Sequence, residues 1–193
     1  RRHKKHDEVA PELGDNWADR LPPKAILVEP SEPEAALFNE LANTWLYSTS
    51  GKSPVTGKGR SLFPWTLLKA ALSSHKALAE TVEQRRKTLA SQADPEAGLD
   101  PKQQTEDEAL VALGELCDGI QDAEASKLNR FVEQLKEIGV GPRSKARVVV
   151  FSERIATLDW LHQVLPDLLG LNAEKHLRVL HGRLSDIRQM DVI

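Results

Sequence analysis

The sequence has little cysteine, methionine or aromatic content. Its 193 residues include one cysteine, Cys117, one methionine and 5% aromatic side chains. A lone cysteine cannot form an internal disulfide, which excludes small secreted proteins that are held together by disulfides. No apolar run approaches the roughly 20 residues that a membrane-spanning helix needs. The basic start at Arg1 continues into acidic and polar residues instead of the apolar core of a secretory signal. These absences predict a cytoplasmic globular protein without a membrane partner.

Charge is distributed unevenly along the chain. Residues 94–124 contain ten acidic side chains and one basic side chain, a local net charge of −9. Because the whole chain carries −3, the remaining residues together carry +6. An anion-binding surface can therefore lie outside the acidic stretch. Two interpretations stay open: a protein that binds nucleic-acid phosphates, or a helical interaction module whose acidic stretch 94–124 docks a basic protein partner.

Helix signals dominate the first two thirds of the chain. Ser31 and Glu34 have the spacing of a capping box, and apolar residues follow at helical intervals. Ser74 is a good helix cap, Thr105 to Glu108 has the spacing of a second capping box, and Gly139 suits the end of a helix. We predict a mostly helical segment over residues 1–142, with one short strand near residues 24–29.

The pattern changes after Pro142. Arg147 to Phe151 is a β-branched apolar run, typical of a strand that is buried on both faces. Leucines at helical spacing follow, and then a second short apolar run at 177–180. A strand, a helix and a strand of this length predict a right-handed βαβ unit with parallel strands. The fold class expected is therefore α/β, with residues 143–193 as the start of a domain that this sequence does not complete.

The carboxyl ends of the two predicted strands carry hydroxyl, glycine and arginine residues. Ligands of open α/β sheets bind beyond these strand ends, where helix N-termini also offer free N–H groups. Contacts to a nucleic-acid backbone are therefore predicted for Ser152, Arg154, Thr157, Gly182, Arg183 and Arg188. Arginines that only face solvent at a generic α/β edge remain the alternative.

No catalytic or metal-binding constellation is predicted. Gly51-Lys52-Ser53 resembles the end of a phosphate-binding loop, but Leu46 stands where that loop needs its first glycine, and a predicted helix precedes it instead of a strand. His3 and His6 have no further metal ligand nearby in the sequence. No Ser/His/Asp set stands out. We predict no catalytic residues, no metal ligands and no bound cofactor for these residues.

Several blocks of the sequence resemble Snf2-type superfamily 2 helicases. Residues 147–158, RVVVFSERIATL, are similar to the strand, F-S and T-L that open the second RecA-like lobe of that family. Residues 178–189 are similar to its next block, and residues 26–38 to its strand, S-x-x-E and L-F/Y continuation. Residues 73–78, SSHKAL, resemble bacterial members akin to the RNA-polymerase-associated translocase. Two shorter matches are Arg1-Arg2-His3-Lys4 and Lys127-Leu128.

The resemblance implies an inter-lobe helical segment followed by the start of a RecA-like lobe. It implies an intact protein that binds ATP and magnesium, hydrolyses ATP and moves along duplex DNA, with the six residues predicted above touching the DNA backbone. The family's ATP motifs have no match in these 193 residues. The chain alone is therefore expected to be inactive as an enzyme and to contribute DNA contacts and lobe coupling.

Overall fold

The structure, a computed structural model, describes residues 22–48, 51, 53–57 and 61–182. The described residues form α-helices joined by loops. The helices are α1 (Glu32–Glu40), α2 (Phe63–Ser73), α3 (His75–Gln92), α4 (Pro101–Gly119), α5 (Ser126–Ile138), α6 (Ile155–Leu169) and the short α7 (Ala173–His176). A π-helical stretch, Leu41–Leu46, continues α1, and a 3₁₀ turn, Asp122–Glu124, precedes α5.

Helix boundaries follow local capping chemistry. At Ser31 the predicted capping box is confirmed: the Ser31 N–H donates to Glu34 Oε2 at 2.9 Å, and the Glu34 N–H donates to Ser31 Oγ at 3.4 Å. The predicted cap at Ser74 is also confirmed, because its Oγ accepts from the Ala77 N–H at 3.0 Å. Gly139 ends α5 with φ +88°, a left-handed conformation that costs glycine little.

The predicted capping box at Thr105 is wrong. The observed cap lies five residues earlier, at Asp100, so helix α4 begins at Pro101, and Gln103 completes the box. Proline is favoured in the first turn of a helix, where its missing N–H has no partner to lose. Thr105 instead lies within the helix, where its hydroxyl donates to the Pro101 carbonyl oxygen at 3.0 Å.

Two apolar clusters hold the helices together. In the larger cluster, α3 packs against α2 and α4, and α1 packs on α4. Trp45, Leu67, Leu78 and Leu113 are among its buried side chains. Burying a leucine of this kind contributes about 1.5–3 kcal/mol.

The smaller cluster lies between α5 and α6. Its buried side chains include Leu128, Leu135, Trp160 and Leu165. Helix α6 also packs against α3, so the second cluster is joined to the first. The predicted domain boundary at residue 142 falls between two helices that share this core.

The α/β fold class, with a βαβ unit in 143–193, is wrong for the part of the chain that the structure describes. The predicted strands at 24–29, 147–151 and 177–180 have no helix or strand assignment there. A strand exists only by pairing with a neighbour, and none of these segments pairs with another. Leu27 is 94% exposed and Phe151 is 91% exposed, so their outer faces are uncovered. The apolar, β-branched composition of these runs indicated β propensity and burial. Neither property specifies which segment would pair with them, so the prediction of strands could fail.

No helix among the described residues is both long and apolar enough to cross a membrane.

Candidate nucleic-acid interface

The turn that leads into α6 carries three of the predicted site residues. The Arg154 N–H donates to Ser152 Oγ at 3.1 Å, which fixes the turn before the helix begins at Ile155. Thr157 follows in the first helical turn. The structure therefore brings Ser152, Arg154 and Thr157 together around one helix start, as the sequence predicts, although no strand precedes them.

Two of these three side chains face the junction between α2 and α3. The Thr157 hydroxyl lies 2.8 Å from Ser73 Oγ and 2.7 Å from Ser74 Oγ, and Ser152 Oγ lies 3.3 Å from Ser73 Oγ. Thr157 and Ser74 are buried. A buried hydroxyl needs a hydrogen-bond partner, and these hydroxyls supply one another. This hydroxyl cluster fastens the start of α6 to the first core.

Arg154 points to the other side of the turn, into a polar cavity. Its Nη2 donates to the Thr66 carbonyl oxygen at 3.3 Å. The cavity has a volume of about 510 Å³. Besides Arg154 it is lined by Phe63, Glu80, Thr81, Gln84, Arg85 and Thr88. Guanidinium, hydroxyl and amide groups are side chains that commonly bind phosphate oxygens, so this cavity is a candidate site for a phosphate.

Arg85, on the cavity wall, is paired with a buried carboxylate. Glu106 is 0% exposed and accepts from Arg85 Nε at 2.7 Å and from Arg85 Nη2 at 3.0 Å. It also accepts from the Thr56 N–H at 2.7 Å and from Thr56 Oγ1 at 2.5 Å. Arg85 lies over the Phe63 ring, 5.2 Å from its centroid. This cluster, called the Glu106 cluster below, ties the 53–57 loop to α3 and α4.

The Glu106 cluster was missed at the sequence level. Glu106 stands at the head of the stripe that continues through Leu110, Leu113 and Cys117 on the buried face of α4. A carboxylate in an apolar stripe signals a buried partner, because an unpaired buried charge is too costly to keep. That signal could have identified Glu106, although the sequence could not name Arg85 as its partner.

The two arginines at the cavity differ in whether they form an ion pair. Arg85 is neutralised by Glu106, whereas Arg154 forms no ion pair with any residue that the structure describes. Arg154 is therefore the cation that can meet an incoming phosphate. The Arg154 guanidinium can attract an anion, although the Glu80 carboxylate in the same lining opposes it.

The structure says little about the second group of predicted site residues, Gly182, Arg183 and Arg188. Gly182 is exposed and closes the described range. Arg183 and Arg188 lie outside the described residues, as do His3, His6 and Lys52. Their predicted roles therefore remain predictions.

Two further features bear on chemistry other than anion binding, the grouping of metal ligands and the cysteine thiol. Within residues 22–48, 51, 53–57 and 61–182, no three His, Cys, Asp or Glu side chains are grouped so that they could hold a metal. Burial raises the pKa of the Cys117 thiol to about 12, so the thiol stays protonated at neutral pH. A protonated thiol is a poor nucleophile, which makes Cys117 a packing residue.

The acidic stretch 94–124 is largely committed to intramolecular contacts. Seven of its ten carboxylates accept hydrogen bonds within the chain. Asp100 caps α4, Asp122 accepts from Trp160 Nε1 at 2.8 Å, and Asp107 pairs with Arg86 at 2.7 Å. Glu96, Glu115 and Asp118 are exposed. Eight of the ten acidic residues are exposed, so the stretch still presents an acidic surface.

His75 joins the two cores and is expected to make stability depend on pH. Its ring packs edge-on against Trp160 with 4.9 Å between centroids, and its Nε2 is buried without a hydrogen-bond partner among the described residues. Burial is the main reason why its pKa is lowered from 6.5, and Lys76 lowers it further, against Asp122, Glu34 and Asp118.

The neutral imidazole is thus favoured in the folded chain, while the unfolded chain takes up a proton below pH 6.5. Stability should be complete above that pH and should fall as the pH drops from 6.5 toward the folded-state pKa. Urea unfolding of the natural chain and of His75→Phe from pH 8 to pH 5 measures it. On acidification the free energy of unfolding of the natural chain should fall relative to that of His75→Phe; a constant difference between the two would contradict this account.

Comparison with known proteins gives no further guidance, since no family model, no curated protein and no solved structure matches this chain.

Proposed function

We propose that this chain is part of an ATP-driven Snf2-type DNA translocase of the cytoplasm, in which it contacts the phosphate backbone of duplex DNA and couples the two motor lobes. The sequence blocks described above are the basis for the family. The position of Arg154 is the structural observation that carries the DNA contact. Its guanidinium lines a polar cavity and forms no ion pair within the described residues.

Of the three predicted contacts at the start of α6, Arg154 is the one whose side chain lines the polar cavity. Arg154 can reach a phosphate from the cavity, with Thr81, Gln84 and Thr88 as neighbouring hydrogen-bonding groups. Ser152 and Thr157 support Arg154 by fastening the turn on which it stands. Such contacts position a duplex and carry no base-sequence information.

The ATP-binding motifs of that family have no match in this chain. The described residues include no acidic cluster for a metal, and Gly51 follows a helical stretch rather than a strand. In this proposal ATP and magnesium bind to other parts of the intact protein, and no step performed by these residues runs through them. Helix α6 transmits motion instead, because it contacts both apolar cores.

Replacing Arg154 with alanine is expected to weaken binding of duplex DNA. Each phosphate contact contributes about 0.9 to the slope of log affinity against log salt. Arg154→Ala should therefore reduce the magnitude of that slope by about one unit. It should reduce the affinity for duplex DNA most at low salt. Titrating a fluorescent duplex at several salt concentrations measures both quantities.

Arg130→Ala is the matched control. It removes the same charge from α5, where Arg130 already pairs with Glu133 at 2.9 Å and with Glu137 at 3.1 Å. Its salt slope should equal that of the natural chain. An unchanged slope in Arg154→Ala, or equal losses in both variants, would remove Arg154 from the interface.

A basic protein partner for the acidic stretch remains a second proposal with a narrower basis. Eight exposed acidic residues within 94–124 would form its binding surface. We place DNA binding first because Arg154 lines the polar cavity without an ion pair among the described residues.

A further inference from the structure

The polar cavity that Arg154 lines also holds a carboxylate. Glu80 is half-buried and lines the cavity from α3. Among the residues that the structure describes, Glu80 forms no ion pair. A negative charge without a partner thus shares the cavity with the guanidinium proposed to meet a phosphate. An anion that enters the cavity is attracted by Arg154 and repelled by Glu80.

The charges of the four ionisable side chains at the cavity cancel. Arg85 is neutralised by Glu106, which leaves Arg154 as one positive charge and Glu80 as one negative charge. A sphere with the cavity's volume of about 510 Å³ would be about 10 Å across, which equals the screening length in about 0.1 M salt. Salt therefore leaves both charges effective on an anion inside the cavity.

We infer that Glu80 makes this cavity select a phosphodiester, the singly charged phosphate within a nucleic-acid strand, over a phosphomonoester such as the phosphate at a strand end. The inference rests on the proposed DNA contact and specifies its ligand. Electrostatic energy is proportional to the product of the charges, so Arg154 and Glu80 act with opposite sign on the second charge of a monoester. The cost of removing an ion from water rises steeply with its charge. The monoester therefore gains little attraction to offset its larger cost of dehydration.

The other polar groups of the cavity do not make this distinction. A phosphomonoester carries close to two negative charges above its second pKa of about 6, whereas each phosphate inside a strand carries one. Thr81, Gln84 and Thr88 are neutral and can donate hydrogen bonds to either kind of phosphate. They add affinity for both ligands, so Glu80 is the specificity-determining residue. The cavity is then suited to the interior of a DNA strand rather than to its end.

Displacement of a fluorescent duplex from the full 193-residue chain tests the inference. The competitors are dimethyl phosphate, with one charge, and methyl phosphate, with two at pH 8, compared at constant ionic strength. The natural chain should bind dimethyl phosphate at least as tightly as methyl phosphate. Glu80→Gln removes the repulsion and should bind dimethyl phosphate about three-fold more tightly, the effect of one exposed charge pair. For methyl phosphate the gain should be about ten-fold, because the repulsive energy is twice as large.

Glu83→Gln is the matched control on the same helix. Glu83 is exposed, pairs with Lys87 at 2.6 Å and lies outside the cavity lining. Its affinities for both competitors should equal those of the natural chain. Helical circular dichroism should be unchanged in both variants, because neither side chain is buried. Equal gains for the two competitors in Glu80→Gln, or equal gains in the two variants, would overturn the inference. So would a natural chain that binds methyl phosphate more tightly.

Arg154→Ala separates this inference from the proposed DNA contact. If Arg154→Ala loses affinity for the duplex as expected while Glu80→Gln treats both competitors alike, the DNA contact stands and the role of Glu80 is wrong. If Arg154→Ala binds the duplex as the natural chain does, the DNA contact at this cavity is wrong, and the inference about Glu80 is overturned with it.

Discussion

Glutamine in place of Glu106 is expected to lower the free energy of unfolding by about 3–5 kcal/mol, because it leaves a partly buried guanidinium without its counter-charge. Glu106 is fully buried and accepts four hydrogen bonds from Arg85 and Thr56. The amide introduced by Glu106→Gln would present a donor where the carboxylate presents an acceptor. Urea unfolding followed by circular dichroism at 222 nm measures the change.

The chain supplies a matched control on the same two helices. Asp107 pairs with Arg86 at 2.7 Å, and the Arg86 side chain is 45% exposed. Asp107→Asn should cost less than about 1 kcal/mol, since solvent screens an exposed pair. If Glu106→Gln and Asp107→Asn lowered the free energy of unfolding by similar amounts, the buried Glu106 cluster would contribute no more to stability than the exposed pair.

A double-mutant cycle separates pairing from packing. Arg85→Met alone leaves Glu106 as an unpaired buried carboxylate, so it should be as damaging as Glu106→Gln. The two changes together remove both charges, and their combined cost should be smaller than the sum of the single costs. Additive costs would show that the two side chains act independently.

Alanine in place of Trp160 is expected to have the second large effect, a loss of about 3–5 kcal/mol. Trp160 is buried in the second core, packs against His75 of the first, and donates from Nε1 to Asp122 Oδ1 at 2.8 Å. Its removal leaves a cavity where the two cores meet. Unfolding curves should therefore lose stability, and the α6 region should become the first part to exchange its amide hydrogens.

Trp160→Phe is the control for this prediction. It keeps an aromatic ring against His75 and loses the hydrogen bond to Asp122, so it should cost about 1–2 kcal/mol. If Trp160→Phe were as damaging as Trp160→Ala, the hydrogen bond rather than the packing would join the cores.

Much of the helical part was predictable because capping and amphipathic spacing are local. Ser31 with Glu34, Ser74, and Gly139 each specify a helix end through neighbours within a few residues. The start of α4 was misplaced because two capping patterns compete within six residues. Asp100 prevails over Thr105, since Pro101 follows it and is favoured at the first helical position.

The prediction of strands was wrong for a different physical reason, because a strand depends on a distant pairing partner. Val148 to Phe151 has the composition of a buried strand, but composition carries no information about which segment supplies the hydrogen-bonding partner. The described residues provide no such partner. Phe151 is accordingly left 91% exposed.

The candidate site was predictable only in part. The sequence placed Ser152, Arg154 and Thr157 at a helix start, which the structure shows. It could not show that the Thr157 hydroxyl bonds Ser73 and Ser74, more than eighty residues earlier. Nor could it show that Arg154 shares a cavity with Arg85, because both relations depend on how distant helices pack.

The most direct test of the proposed function is ATP hydrolysis by the intact protein that contains this sequence, measured with and without duplex DNA. The proposal predicts that DNA stimulates hydrolysis. It also predicts that Arg154→Ala needs more DNA to reach half-maximal stimulation, while Arg130→Ala behaves as the natural protein. An intact protein whose hydrolysis does not respond to duplex DNA would contradict the translocase assignment. Equal DNA requirements in all three proteins would contradict the role of Arg154.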